Sequence, residues 1–159
     1  MQLSSRFPVA VQLLILIAWC PDDYKVTSEV LAVSVNTNPA LIRRIMGYLK
    51  KAELVTVTAG TGGATLTRDA GEITLLDVYR AVELTNQDAL FGLHKTPNPR
   101  CPIGSRINSV LTPHLEHARS ALEKSLAQVT IKQLAAEFPP FDPIVAKKYM
   151  QDYIVKLPV

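Results

Sequence analysis

The stretch TSEVLAVSVNTNPALIRRIMGYLKKAELVTVTAGTGGATLTR, Thr27 to Arg68, decides how this chain folds. Thr27 or Ser28 caps a helix in which Val30, Leu31 and Val33 point inward. Val35-Asn36-Thr37-Asn38 turns the chain. Asn38 is a good N-cap and Pro39 a good first helical residue, so a second helix runs from Pro39 to about Ala52. Ile42, Ile45, Met46 and Leu49 recur at helical spacing and make its buried stripe. Its other side carries Ala40, Arg43, Arg44, Gly47, Lys50 and Lys51, and no acidic residue falls between Asn36 and Lys51. Leu54 to Thr58 alternates and is β-prone, Gly60-Thr61-Gly62-Gly63 makes a tip, and Ala64 to Arg68 returns. Helix, turn, basic helix and glycine-tipped hairpin, in that order, are the layout of a winged helix-turn-helix.

An α-helix fits the major groove of a duplex, and its N-terminal residues reach base edges. Here those are Thr37, Asn38, Pro39, Ala40 and Arg43. Arg43 can contact guanine through two hydrogen bonds, worth roughly 1–3 kcal/mol of discrimination. Lys50 and Lys51 suit phosphates, and they also suit the negative end of the helix dipole. Gly47 weakens the helix but lets another backbone come close. A solvated basic face is the plain alternative, and the ordered series of elements argues against it. The loop Gly60-Thr61-Gly62-Gly63 would lie along the minor groove or the backbone with its amides near phosphates. It also satisfies a turn that needs positive φ. A nucleotide-binding P-loop is excluded, because a strand rather than a helix follows and no lysine closes the motif.

The chain has 159 residues, which suits one domain or a small domain with a dimerisation arm, and 48% apolar residues argue against wholesale disorder. A formal charge of +3 says little, since the placement of charge matters more than its sum. Two distant cysteines, Cys20 and Cys101, make neither a disulfide framework nor a zinc site, so a reducing cytoplasm is the expected setting. Phe7 to Cys20 resembles the apolar run of a secretory signal, but Trp19 stands where a cleavage site wants a small residue. The run is too short to span a bilayer, and a buried core helix capped by Ser4 or Ser5 is the better reading. No membrane partner is expected.

Further on, Thr74-Leu75-Leu76-Asp77 is a capping-box-like start for a helix reaching about Glu83. Pro97-Asn98-Pro99 breaks the segment that follows. From Ile103 a long helical pattern resumes, with Ile107, Leu111, Leu115, Ala118, Leu122 and Leu126 stepping by three or four. Such a stripe wants a partner helix. Pro113 predicts a kink, or a fresh start with Thr112 as cap. A short helix follows Thr130, and the tail from Phe138 is broken by prolines.

No catalytic constellation is present: His94, His114 and His117 stand apart from any nucleophile and orienting acid, so an enzyme is not expected. Cys101 precedes a helix and neighbours Arg100, and both features lower a thiol's pKa. It is either a redox sensor or an inert, half-buried cysteine.

Several stretches resemble the Rrf-two type bacterial regulators (IscR/NsrR/CymR-like). They are Met1 to Phe7, Thr27-Ser28-Glu29, Asn36 to Pro39 with Ile42-Arg43-Arg44, Gly60 to Gly63, Ile73 to Val78 with Arg80 to Glu83, and Cys101 to Gly104. The resemblance implies a mainly α fold with a small β-hairpin wing, a homodimer on a palindromic operator of double-stranded DNA, and repression of transcription. It implies that Ser4, Ser5 and Arg6 lie near the DNA backbone, and that Thr27, Ser28 and Asn36 join Thr37, Asn38, Pro39, Arg43, Arg44, Lys50 and the glycine loop in the interface. Cluster-binding members carry three close cysteines where this chain has only Cys101, which implies the cluster-free branch and no cofactor. Thr61 stands where a basic residue could enter the minor groove. The expected division is a DNA-binding domain over 1–84, a sensor loop and dimerisation helix over 85–137, and a tail of unassigned role over 138–159. Competing expectations are a redox-sensing regulator acting through Cys101 and a dimeric interaction module without DNA binding.

Overall fold

The computed structural model describes residues 5–58, 63–83, 91–150 and 155–156. Helix α1 (Arg6–Trp19) is the centre of the core, burying Ala10, Leu13, Leu14, Leu16 and Ile17. Ser5 occupies the position before it but does not cap it through its side chain. Its backbone is already helical (φ −61°, ψ −8°), and a capping hydroxyl needs an extended backbone to reach back to the amides. Ser4 lies outside the described residues.

Helix α2 (Ser28–Val35) starts on Thr27, whose hydroxyl accepts from the Val30 amide, and stops at Asn36 in the left-handed conformation. Its buried residues are Val30, Leu31 and Ala32, whereas Val33, expected inside, is 37% exposed. The helix packs both on α1 and on the helix that follows it, and that packing takes Ala32 rather than Val33 inside. Helix α3 (Pro39–Lys51) starts on Asn38, which accepts from the Ala40 amide at 2.8 Å. All four expected stripe residues, Ile42, Ile45, Met46 and Leu49, are buried.

The wing is the antiparallel pair β2 (Val55–Thr58) and β3 (Gly63–Leu66), with Val55 opposite Leu66 and Thr58 opposite Gly63. Val55 and Ala64 face the core, and the Thr56 and Thr65 hydroxyls bond at 2.8 Å on the outer face. Strand β1 (Tyr24–Lys25) leads into Val26, which is buried and holds the wing: the Ala64 amide donates to its carbonyl at 2.8 Å. Gly63 has φ +72°, and a Cβ there would stand 2.7 Å from the Val26 oxygen, so only glycine fits.

Helix α4 (Leu75–Glu83) has the expected capping box: Thr74 Oγ1 accepts from the Asp77 amide at 3.2 Å and Asp77 Oδ2 accepts from the Thr74 amide at 2.9 Å. Helix α5 (Ile107–Ala127) is 21 residues long. It begins later than expected, because Ile103 lies in the preceding turn and is 71% exposed. It also continues through Pro113 without a fresh start. Thr112 caps nothing, since its hydroxyl donates to the Asn108 carbonyl at 2.7 Å. The carbonyl deprived by Pro113 belongs to exposed Ser109, where water can serve it.

After α5 the chain returns to the first unit. Thr130 pairs with Thr74, the Leu75 amide donates to Val129 and the Ile131 amide to Ile73. Helix α6 (Ile131–Ala135) then packs on α1, and its Thr130–Gln133 capping box sits beside that of α4. The tail is not detached either. Trp19 Nε1 donates to the Pro139 carbonyl, and Phe141 packs on Trp19 and Tyr24. Helix α7 (Pro143–Met150) buries Ala146, and β4 (Val155–Lys156) pairs antiparallel with β1.

Gly63→Ala is expected to lower unfolding stability in urea by more than about 1 kcal/mol, since it combines positive φ with a clash against fixed backbone.

Candidate nucleic-acid interface

Burying the Ile42, Ile45, Met46 and Leu49 side of α3 leaves Ala40, Arg43, Arg44, Gly47, Lys50 and Lys51 exposed. Beside this face runs a groove of about 460 Å³ bounded by α3, the start of α2 and the wing. Lys25, Ser28, Glu29, Arg43, Gly47, Lys50 and Thr58 are among its lining residues. The expected residues Thr27, Ser28, Arg43, Lys50 and Gly63 therefore meet at one place.

The two arginines of α3 diverge. Arg43 Nη2 pairs with Glu29 Oε1 at 3.2 Å across the α2–α3 gap. Arg44 Nε donates to the Tyr48 hydroxyl at 3.1 Å, and Arg6 hydrogen-bonds the same hydroxyl. Those two guanidiniums, Arg44 first and then Arg6, hold the Tyr48 phenol below its ordinary pKa. Two cations gathered on one phenol are suited to a phosphate oxygen, away from the Arg43 groove.

The remaining expected residues hold the frame. Asn36 makes the left-handed end of α2, and the Thr37 amide donates to the Ala32 carbonyl. Asn38 spends its oxygen on capping, leaving its exposed side-chain NH₂ outward, and Pro39 opens α3. Ser5 is exposed beside α1. Gly63 is buried under the wing, so its role is to seat the wing on Val26. Gly60, Thr61 and Gly62 lie outside the described residues.

In the sequence Glu29 stands out only as part of the Thr27-Ser28-Glu29 stretch, and neither it nor Tyr48 nor Lys25 is assigned there to the interface. A sequence signal existed for Tyr48, four residues after Arg44 on one helix face. Glu29 meets Arg43 only through the tertiary crossing of α2 and α3. Its carboxyl is held below the usual range, first by its own backbone amide and also by Thr27, Ser28 and Arg43.

Helix α5 contains no buried residue. Leu111 and Ala118 are exposed, and Ile107, Leu115, Leu122 and Leu126 are half-buried. The helix touches α4, where Glu123 accepts from both Arg80 and Arg119. Cys101 is half-buried in the turn before α5, and the amides of Gly104 and Ile103 lower its thiol pKa. The Arg100 cation and a helix end, both expected to act on it, are not the cause, since α5 starts six residues later. Cys20 is buried, which pushes its thiol up to about 11.

The family model for Rrf2, an iron-dependent transcriptional regulator, matches residues 3–137. YwnA of Bacillus subtilis (strain 168), which bears the name of an HTH-type transcriptional regulator, is 43% identical over 132 residues, covering 83% of this chain and 96% of YwnA. A crystal structure described as that of a DNA-binding protein is 40% identical, with a TM-score of 0.66, covering 82% of this chain and 98% of that one. The B. subtilis cysteine regulator CymR shares the fold at 19% identity and a TM-score of 0.63, over 87% of this chain and 99% of CymR. The donor set does not fit an iron site here. Cys20 is in the core, Cys101 is alone in its turn, and no group of three His, Cys, Asp or Glu could hold a metal among the described residues.

Gly47 has open space around its Cα, so Gly47→Ala is expected to fit and to raise urea stability by about 0.5–1 kcal/mol.

Proposed function

This chain belongs to the Rrf2 family of transcriptional regulators, DNA-binding proteins rather than enzymes, and from that premise we propose that it represses transcription as a cytoplasmic homodimer on a palindromic operator. One observation carries the reading: the apolar stripe of α3 is consumed by the core, and the helix turns Arg43, Gly47 and Lys50 outward beside the wing. Two such helices would enter successive major grooves roughly 34–36 Å apart, or a multiple of that. Arg43 would read a base edge, while Lys50, Ser28 and the Arg6–Arg44 pair on Tyr48 would take phosphates.

A homodimer is supported by α5, whose 21 residues bury no side chain within the protomer. A second copy would cover the Ile107, Leu111, Leu115, Ala118, Leu122 and Leu126 stripe. On this reading residues 1–84 grip the duplex and 85–137 carry the sensor loop and the dimer helix, while in the tail over 138–159 the described residues Pro139, Phe141 and Val155–Lys156 brace the first unit. Among the described residues no helix is long and apolar enough to cross a membrane.

The test is selection of bound duplexes from a random pool. The parent is expected to select inverted repeats, with affinity falling steeply as salt rises. Arg43→Ala should cost about 1–3 kcal/mol and relax preference at one base pair per half-site. A dimer without salt-dependent DNA affinity would leave only a protein-interaction module.

A second reading, a thiol switch at Cys101, is favoured by the two turn amides that lower its pKa at the hinge before α5. Iodoacetamide near neutral pH should label Cys101 well before Cys20. Oxidant should then change operator binding of the parent and not of Cys101→Ser. An equal response in both proteins would remove the switch.

A further inference from the structure

We infer that Glu29 determines specificity on the DNA-reading surface: it holds the Arg43 guanidinium by one edge, so that the pair rather than Arg43 alone selects a base pair. The inference rests on the reading of α3 as the recognition helix and deepens it.

Arg43 is long and its side chain is 63% exposed, so without a partner it would sample many rotamers and lose that freedom on meeting a base. Nη2 is instead tied to Glu29 Oε1 at 3.2 Å. The mount is firm. Glu29 lies in the first turn of α2, just after the Thr27 cap, and Val26 ahead of it anchors the wing. Ser28 Oγ donates to the same Oε1 at 3.2 Å, which restricts the carboxylate in turn. A guanidinium is a rigid planar fork of five donors. Fixing one Nη2 proton leaves the remaining donors for guanine O6 and N7 in a defined orientation.

Charge points the same way. Glu29 is the one carboxylate among the described residues lining the groove, beside Lys25, Arg43 and Lys50. A carboxylate facing a duplex repels phosphates and weakens binding to every sequence. Its presence on this surface is accounted for if it restricts Arg43 to one geometry, trading general affinity for selectivity.

The experiment uses the full chain and a pool of randomised duplexes, with parent, Arg43→Ala, Glu29→Gln and Glu29→Asp proteins of matched thermal stability. Glu29→Gln should lose about fivefold or more of the preference at the same base pair that Arg43→Ala relaxes. It should also bind random duplex more tightly than the parent, having lost a negative charge. Glu29→Asp keeps the charge but is one methylene short, so it should lose the preference without that gain. In the Arg43→Ala background, Glu29→Gln should leave base preference unchanged. Parent-like base selection by Glu29→Gln, or relaxation at a different base pair, overturns the proposal. Parent-like selection by Arg43→Ala would overturn the reading of α3 beneath it.

Discussion

Burial of Ile42, Ile45, Met46 and Leu49 is the constraint on which the rest depends. A helix has one azimuth, and once four side chains at helical spacing are committed to the core, every other position is assigned. Arg43, Gly47 and Lys50 face outward because their neighbours cannot. The proposed interface is thus a by-product of packing, held by an apolar term much larger than any surface ion pair on it. Asn38 and Pro39 fix where the helix begins, and therefore which residues stand at the end that can reach into a groove.

The wing gives the proposed surface a second edge beside α3, and its attachment is a backbone matter: Gly63 pressed on Val26, with the Ala64 amide on the Val26 carbonyl. Val26 also leads directly into the Thr27 cap of α2. Wing, α2 and the Glu29 side chain therefore share one rigid support. The C-terminal tail reinforces it, because β4 pairs with β1 immediately before Val26, and Phe141 packs on Tyr24. The family match ends at residue 137, so this bracing belongs to the part of the chain beyond it.

The same economy of contacts explains why α5 stands out. Its apolar positions are spread over a surface that α4 covers only in part, and the Arg80–Glu123 ion pair ties it to α4 without enclosing it, while Arg119 pairs with Glu123 within the helix. The Thr74–Thr130 bridge and the two adjacent capping boxes return the chain from α5 to the core, so the long helix is anchored near its C-terminal end. Its other end joins the Cys101 turn, where Gly104 lets the chain fold tightly over the Asn98 carbonyl.

The sequence by itself determined the elements whose signals are local. The α3 stripe, the Asn38-Pro39 start, the Thr74–Asp77 box and the hairpin all depend on residues within a few positions of one another, where periodicity and capping chemistry apply directly. The basic outer face of α3 followed from the same periodicity. Tertiary structure decided what depends on residues distant in sequence. It exposed Val33 and buried Ala32 because α2 packs against both α1 and α3. It carried α5 through Pro113, brought the tail back to Tyr24, and placed Glu29 against Arg43 across 14 positions. No local pattern encodes such meetings, because they are set by how helices cross once their apolar faces have been buried.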